Sequence, residues 1–154
     1  YMKRVFTIIA ALALITFAGC NSTKVEQVKK VEYLALKGYT GVWALESFTD
    51  GSVADMNKII VDIAYLSETN QYSISGFSGV NNFFATVDNN EKIFPLGDKL
   101  GMTMMSGPAE EMNFESELIK LLVSSNSWTS ENHRLTITEG SKKAVFRLIP
   151  ANDK

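Results

Sequence analysis

Hydrophobic and polar residues follow three successive patterns along this chain. An unbroken apolar run from 5 to 18 comes directly after the cations Lys3 and Arg4. From 41 to 96 apolar and polar positions largely alternate, which predicts β-strands; a helical stripe follows from 108 to 124, and alternation returns at 134. This order predicts an α+β domain in which a curved, partly closed antiparallel β-sheet, a barrel-like meander, packs around one main α-helix, with a signal helix in front.

The alternating segments predict individual strands, separated by clusters of Gly, Asn, Asp and Ser that are typical of turns. The first strand should carry Trp43 and Leu45 on one face. Further strands are predicted at 58–66, 71–77, 82–87, 92–96, 134–138 and 143–149. The helix should begin at Pro108, which suits a first helical turn, and end at Ser124.

The apolar run at the start of the chain predicts export. A basic start and a short apolar stretch are the parts of a signal peptide, and Phe17-Ala18-Gly19-Cys20 resembles the lipobox of bacterial lipoproteins, although such proteins usually have Leu where Phe17 stands. We therefore predict a lipoprotein signal peptide at 1–19, lipidation of Cys20, a tether at 20–37, a domain at 38–150 and a tail at 151–154.

Other interpretations of the N-terminal segment fit less well. A transmembrane helix needs about 20 apolar residues, more than this run supplies. Ordinary signal cleavage requires an A-x-A pattern that Thr16-Phe17-Ala18 satisfies loosely, and a buried core helix would have to accommodate two cations at its start. The tether itself has valines spaced by three, which leaves a short amphipathic helix open as an alternative to a polar linker.

Composition narrows the classes of function. The chain has 15 basic and 17 acidic side chains, and loss of Lys3 and Arg4 with the signal leaves a net charge of −4. So mild a charge predicts no nucleic-acid partner. Cys20 is the single cysteine, and once lipidated it leaves no thiol for a disulfide, a thiolate metal site or a nucleophile.

Residue types that carry catalysis are sparse. His133, the single histidine, is predicted at a strand start, and no G-x-S-x-G sequence accompanies it. The helix carries acids that could pair as catalytic carboxylates but are more often solvated or stabilise the helix dipole: Glu110, Glu111, Glu115 and Glu117. The sequence therefore predicts no catalytic residues, no metal site and no cofactor, and favours a non-enzymatic protein over a hydrolase.

Two further segments allow both a structural and a binding role. Gly76 and Gly79 predict a bulge or positive φ angles, or alternatively a backbone nest for a ligand. The methionine run at 102–105, with Met112 nearby, predicts core packing. If that run is exposed beside Phe83 and Phe84, it could instead hold an acyl chain or an apolar peptide.

Three segments in this order resemble the META domain, a family of small bacterial envelope proteins typified by the heat-shock protein HslJ, over roughly 38–150. Trp43 with Leu45 resembles the family's opening strand. The segment 76–83 resembles the first motif through Gly76, Gly79 and Asn81, and the segment 103–106 resembles the second. Further residues assigned to the second motif and the helix after it are Thr103, Met104, Glu111, Phe114 and Leu118.

The resemblance also marks a departure. The family commonly has cysteines at the positions of Val80 and Ser106, and both are absent here. If those cysteines pair in the family, the resemblance implies that this chain does without a disulfide worth roughly 3 kcal/mol.

The resemblance implies a role in envelope maintenance or stress tolerance through protein interaction. The alternative is a periplasmic lipid- or hydrophobic-peptide-binding module or assembly chaperone. With the lipid anchor, the partners expected are a bacterial membrane and an envelope protein or apolar ligand. Asn21 after the cysteine favours the outer membrane or cell surface over the inner membrane.

Overall fold

A computed structural model describes residues 38–51 and 53–150 of the chain. Eight strands and one α-helix make up its regular structure, together with short 3-10 turns at Met56–Lys58 and Gly97–Lys99. The elements are β1 (Gly41–Phe48), β2 (Ile60–Leu66), β3 (Gln71–Phe77), β4 (Asn82–Asp88), β5 (Gly101–Met102), α1 (Ala109–Ser124), β6 (Ser127–Glu131), β7 (Arg134–Glu139) and β8 (Lys142–Leu148).

All eight strands belong to one antiparallel sheet with the order β5-β4-β3-β2-β1-β8-β7-β6. Each neighbouring pair is antiparallel, and β1 joins the first five strands to the last three by pairing with β8. The prediction of an α+β domain with an antiparallel sheet and one main helix is confirmed.

The sheet is open, so the predicted partial closure into a barrel is wrong. Its two ends are β5 and β6, which do not pair with each other. β5 is two residues long and meets β4 only where Met102 pairs with Phe83 and Gly101 with Phe84. The chain then runs on to the helix, so too little strand is present at this edge to continue a barrel.

The helix covers one face of the sheet and packs apolar side chains against it. Its buried apolar residues are Phe114, Leu118, Leu121 and Leu122. They join the sheet residues in one core, which also takes in Ile93, Phe94 and Leu96 from the connection after β4. At the surface, Lys142 on β8 forms an ion pair with Glu117 of the helix at 2.6 Å and another with Asp50, after β1, at 2.5 Å.

One predicted strand is absent, and two observed strands, the two-residue β5 and β6, were not predicted. Residues 92–96 form no strand, because Ile93 and Phe94 are buried consecutively and Pro95 has no N–H for a ladder. β6 was missed because its serines suggested a turn. His133 lies not at a strand start but in the two-residue turn between β6 and β7, where Asn132 and His133 have φ angles of 51° and 60°.

The predicted signal peptide, Cys20 and the tether fall outside the described residues, as does the tail. Within the part of the chain that the structure describes, no helix has the length and apolar character needed to cross a membrane.

Candidate functional site

A buried carboxylate organises the loop between β3 and β4. Glu115 of the helix is 3% exposed, and its Oε2 accepts hydrogen bonds from the Oγ of Ser78 at 2.6 Å and from the backbone N–H groups of Asn81 at 2.6 Å and Val80 at 3.1 Å. Its Oε1 accepts a fourth from the Nδ2 of Asn81 at 2.7 Å. The carboxylate therefore does for this loop what a bound anion does for a backbone nest.

Asn81 extends this arrangement to the methionine run. Its Oδ1 accepts hydrogen bonds from the backbone N–H of Met105 at 2.6 Å and from the Oγ1 of Thr103 at 2.9 Å, while its Nδ2 also donates to the Met105 carbonyl at 3.2 Å. We call Glu115 and Asn81, with these hydrogen bonds, the Asn81–Glu115 clamp. The clamp joins three separate segments: the β3–β4 loop, the run after β5, and the helix.

Two glycines in and after β3 are required by their surroundings or backbone conformation, for different reasons. A Cβ on Gly76 would lie 2.1 Å from the carbonyl oxygen of Ile60 and 2.5 Å from the ring of Phe83, its cross-strand partner. Gly79 has a φ of +126°, a conformation that L side chains rarely adopt. The registers of β3 with its two neighbours are continuous through Gly76, so the positive φ at Gly79 is present but a bulge at Gly76 is not.

The hydrogen bonds decide the ionisation of Glu115. Burial by itself would raise its pKa, but the donors from Ser78, Asn81 and Val80 stabilise the charged form and outweigh burial. The net result is a pKa below the ordinary glutamate value of 4.5. Glu115 is therefore a carboxylate at neutral pH, which suits an acceptor of four hydrogen bonds.

An open groove of about 420 Å³ lies beside the clamp. We call it the methionine groove, and the residues that line it are Asn81, Met102, Thr103, Met104, Met105, Ser106, Met112, Glu115, Ser116 and Ile119. Met102 and Met112 are half-buried, whereas Met104 is 93% exposed and Met105 is 50% exposed. Among the residues that the structure describes, no lysine or arginine lines it.

The predicted site residues are thus partly brought together. Gly79, Asn81, Thr103 and Met104 lie at or beside the clamp and the groove. Trp43 lies in the core, 1% exposed, with its Nε1 donating to the carbonyl oxygen of Tyr39 at 2.8 Å. Glu111 lines a smaller recess of about 130 Å³ that Gly79 also lines.

Glu115 is the residue that sequence reasoning missed, because the helix acids were expected to be solvated. A signal was available. Glu115 lies three residues before Leu118 and seven before Leu122, so it shares the buried face of the helix with them. An acid inside an apolar stripe requires hydrogen-bond partners, whereas Glu111, one turn earlier, is only half-buried.

Phe83 and Phe84, which were expected to lie beside the methionine run, point to opposite faces of the sheet. Phe83 is 1% exposed in the core, and Phe84 points to the opposite face, where it is 59% exposed and covers Gly101. The core-packing interpretation of the methionine run is wrong for Met104 and Met105, which are exposed.

The histidine and the metal-ligating side chains of the described residues form no cluster. His133 is exposed in the β6–β7 turn. In residues 38–51 and 53–150, no cluster of three or more His, Cys, Asp or Glu side chains could hold a metal ion.

Comparison with known proteins gives one positive result. Searches of curated proteins and of solved structures return no significant match. A family model for the META domain matches residues 34–152, a span that includes the whole sheet, the helix and the clamp. The chain belongs to the META domain family.

Proposed function

We propose that this protein is a non-enzymatic, lipid-anchored component of the bacterial cell envelope that binds an apolar segment of another envelope protein in the methionine groove. The observation that carries the proposal is the exposure of Met104 and Met105 on a run whose backbone is held by the clamp. Methionine is flexible and polarizable, and it is over-used at surfaces that accept varied apolar partners.

The clamp explains why this surface is suited to binding. Exposed apolar side chains on a loose loop would lose conformational entropy on binding, whereas the hydrogen bonds of Met105 to Asn81 already order the backbone. Side-chain adaptability is then combined with a fixed main chain.

The charge of the groove favours one class of occupant. Because Glu115 lines it and no basic side chain of the described part of the chain does, a neutral or cationic apolar peptide fits better than an acidic peptide or a phospholipid head group. The acyl-chain alternative is less well supported, because the face of the sheet that could enclose a chain is filled by Phe94, Phe114 and Leu118, each at most 4% exposed.

The non-enzymatic character is part of the proposal. Ser78 is the serine that touches the buried carboxylate: its Oγ lies 2.6 Å from Glu115 Oε2 and 2.9 Å from the Asn81 carbonyl oxygen. Ser78 is 0% exposed, so its hydroxyl supports the loop and is not placed to attack a substrate.

Site-specific photo-crosslinking in the native envelope tests the binding role. A crosslinking amino acid at Met104 should capture a discrete envelope protein. The same amino acid at Leu66 should not capture it. Leu66 is 41% exposed, and it lies at the opposite end of the paired strands β2, β3 and β4 from Phe77 and Asn82. Equal capture from both positions, or none from Met104, would refute the groove as the binding surface.

The anchor has a separate test. Cys20→Ala should abolish incorporation of labelled palmitate and release the protein from membranes. Continued labelling would exclude Cys20 as the lipidated residue without touching the binding proposal.

A further inference from the structure

Four of the six methionines of this chain line one groove. They are Met102, Met104, Met105 and Met112, and the methionine outside the groove within the described domain is Met56. Thioether sulfur is a soft ligand, and soft ligands select Cu(I) over harder cations. The groove therefore contains a ligand set that a count of His, Cys, Asp and Glu does not detect.

The arrangement of these methionines suits an entering ion. Met102 and Met112 are half-buried, and Met104 and Met105 are exposed. Two thioethers can therefore form a floor while two flexible ones close from the rim. The backbone that carries three of the four is fixed, because Asn81 binds the Thr103 hydroxyl and both backbone groups of Met105.

The electrostatics of the groove point in the same direction. Glu115 lines it as a buried carboxylate whose hydrogen-bond donors are all neutral, and it takes part in no ion pair within the described residues. Within residues 38–51 and 53–150, no lysine or arginine lines the groove to offset this negative charge. A monovalent cation entering there would meet an unneutralised carboxylate nearby.

From these observations we propose that the methionine groove binds one Cu(I) ion through the thioether sulfurs of Met102, Met104, Met105 and Met112. Ag(I), which shares the soft, monovalent character of Cu(I), occupies the same site. This site goes beyond the proposed binding of a polypeptide and does not depend on it.

Metal uptake by the full chain in detergent tests the proposal. The Cys20→Ser variant is used throughout so that no thiol competes for the metal. Anaerobic titration with Cu(I) against a chromophoric Cu(I) chelator should show one ion bound per chain, and X-ray absorption should show sulfur neighbours without a nitrogen shell. No uptake in competition with the chelator, or a nitrogen-dominated shell, overturns the proposal.

Leucine substitution separates sulfur from shape, because Leu is close to Met in volume and apolar character. Met102→Leu with Met112→Leu, and separately Met104→Leu with Met105→Leu, should each lose Cu(I) binding, whereas Met56→Leu should retain it. Retention in both double variants refutes the site. Crosslinking from the groove should survive leucine substitution, so failure of the metal site and failure of the polypeptide site give different results.

An NMR measurement on the protein with all its groove methionines present does not depend on whether the leucine variants fold. With methyl-labelled methionine, addition of Ag(I) should shift the four groove methyl resonances and leave that of Met56 in place. Shifts at Met56 alone, or at no methionine, would contradict the assignment.

Discussion

The carboxylate of Glu115 binds Asn81 twice, accepting its backbone N–H at 2.6 Å and its side-chain N–H at 2.7 Å. This pair joins the helix to a loop 34 positions earlier in the chain. Asn81 also fixes the methionine run, because its Oδ1 accepts a hydrogen bond from the backbone N–H of Met105. The groove is therefore built on a buried polar network, and most of its testable consequences follow from that network.

Removing the carboxylate should be costly because several buried donors lose their acceptor at once. We expect Glu115→Ala to lower the free energy of unfolding by about 4 kcal/mol, and Glu115→Gln by about 2 kcal/mol because one amide N–H would then face the Nδ2 of Asn81. Chemical denaturation measures both. Glu110→Ala, at an exposed position of the same helix, is the matched control and should change stability by at most about 0.5 kcal/mol. Equal losses at 110 and 115 would contradict the role of the clamp.

Stability should depend on pH through the same residue. Because the folded pKa of Glu115 lies below its ordinary value of 4.5, the unfolded state binds more protons in this window, and the stabilisation is present above about pH 4.5 and is lost as the pH falls through the folded pKa. Glu115→Gln should therefore show a shallower fall in unfolding free energy between neutral pH and pH 3 than the unsubstituted protein. Glu110→Gln should keep the original profile. Parallel profiles for Glu115→Gln and the unsubstituted protein would show that Glu115 is not the group responsible.

Gly76 should tolerate no side chain, because a Cβ there would collide with the backbone of β2 as well as with Phe83. We expect Gly76→Ala to cost about 3 kcal/mol, since a backbone oxygen cannot move aside as a flexible side chain can. Gly38→Ala, where a Cβ meets nothing within 4 Å, is the control and should be nearly neutral. Thermal unfolding distinguishes the two, and a stable Gly76→Ala variant would mean that β2 and β3 are not packed this closely.

A disulfide should form at the positions where the family resemblance implies one. Val80 packs against Gly107, with its Cγ2 2.7 Å from the place of a Cβ on that glycine, so Ser106 is next in the chain to a residue that Val80 touches. In a Cys20→Ser background, Val80→Cys with Ser106→Cys should oxidise and add roughly 3 kcal/mol of stability. Thiol titration and mass spectrometry report the bond, with Val80→Cys alone as the control. Two free thiols in a folded protein would count against the alignment of the two motifs.

The sequence was most informative where one periodicity dominated. The span of β3 was predicted without error at 71–77, and the helix within one residue, because alternation and an apolar stripe fix the buried face of each. Prediction failed at β6, whose two-residue turn uses Asn132 and His133 at positive φ rather than the Asn-Gly that signals such turns. Openness of the sheet could not be foreseen, because alternation within a strand does not reveal how many partners its edge has.

As with the fold, some features of the site could be predicted from the sequence and others could not. Asn81 and Thr103 were identified through motif resemblance, and both take part in the clamp. Glu115 was not identified in this way, because the motif's spacing pointed to Glu111, whereas the helical period places Glu115 among buried leucines. The exposure of Met104 could not be derived from its apolar character, since it depends on how Asn81 holds the backbone around it.

The central claim is that the Asn81–Glu115 clamp orders the methionine run and so creates the groove. Amide hydrogen exchange at Met105 tests this most directly, because that N–H is bonded to the Oδ1 of Asn81 and belongs to no strand or helix. We expect the Met105 amide to be protected in the unsubstituted protein and to lose that protection in Asn81→Ala, while the amide of Ile74 in β3 exchanges as before. A Met105 amide that exchanges at the rate of an unstructured peptide, or one whose protection survives Asn81→Ala, would contradict the account.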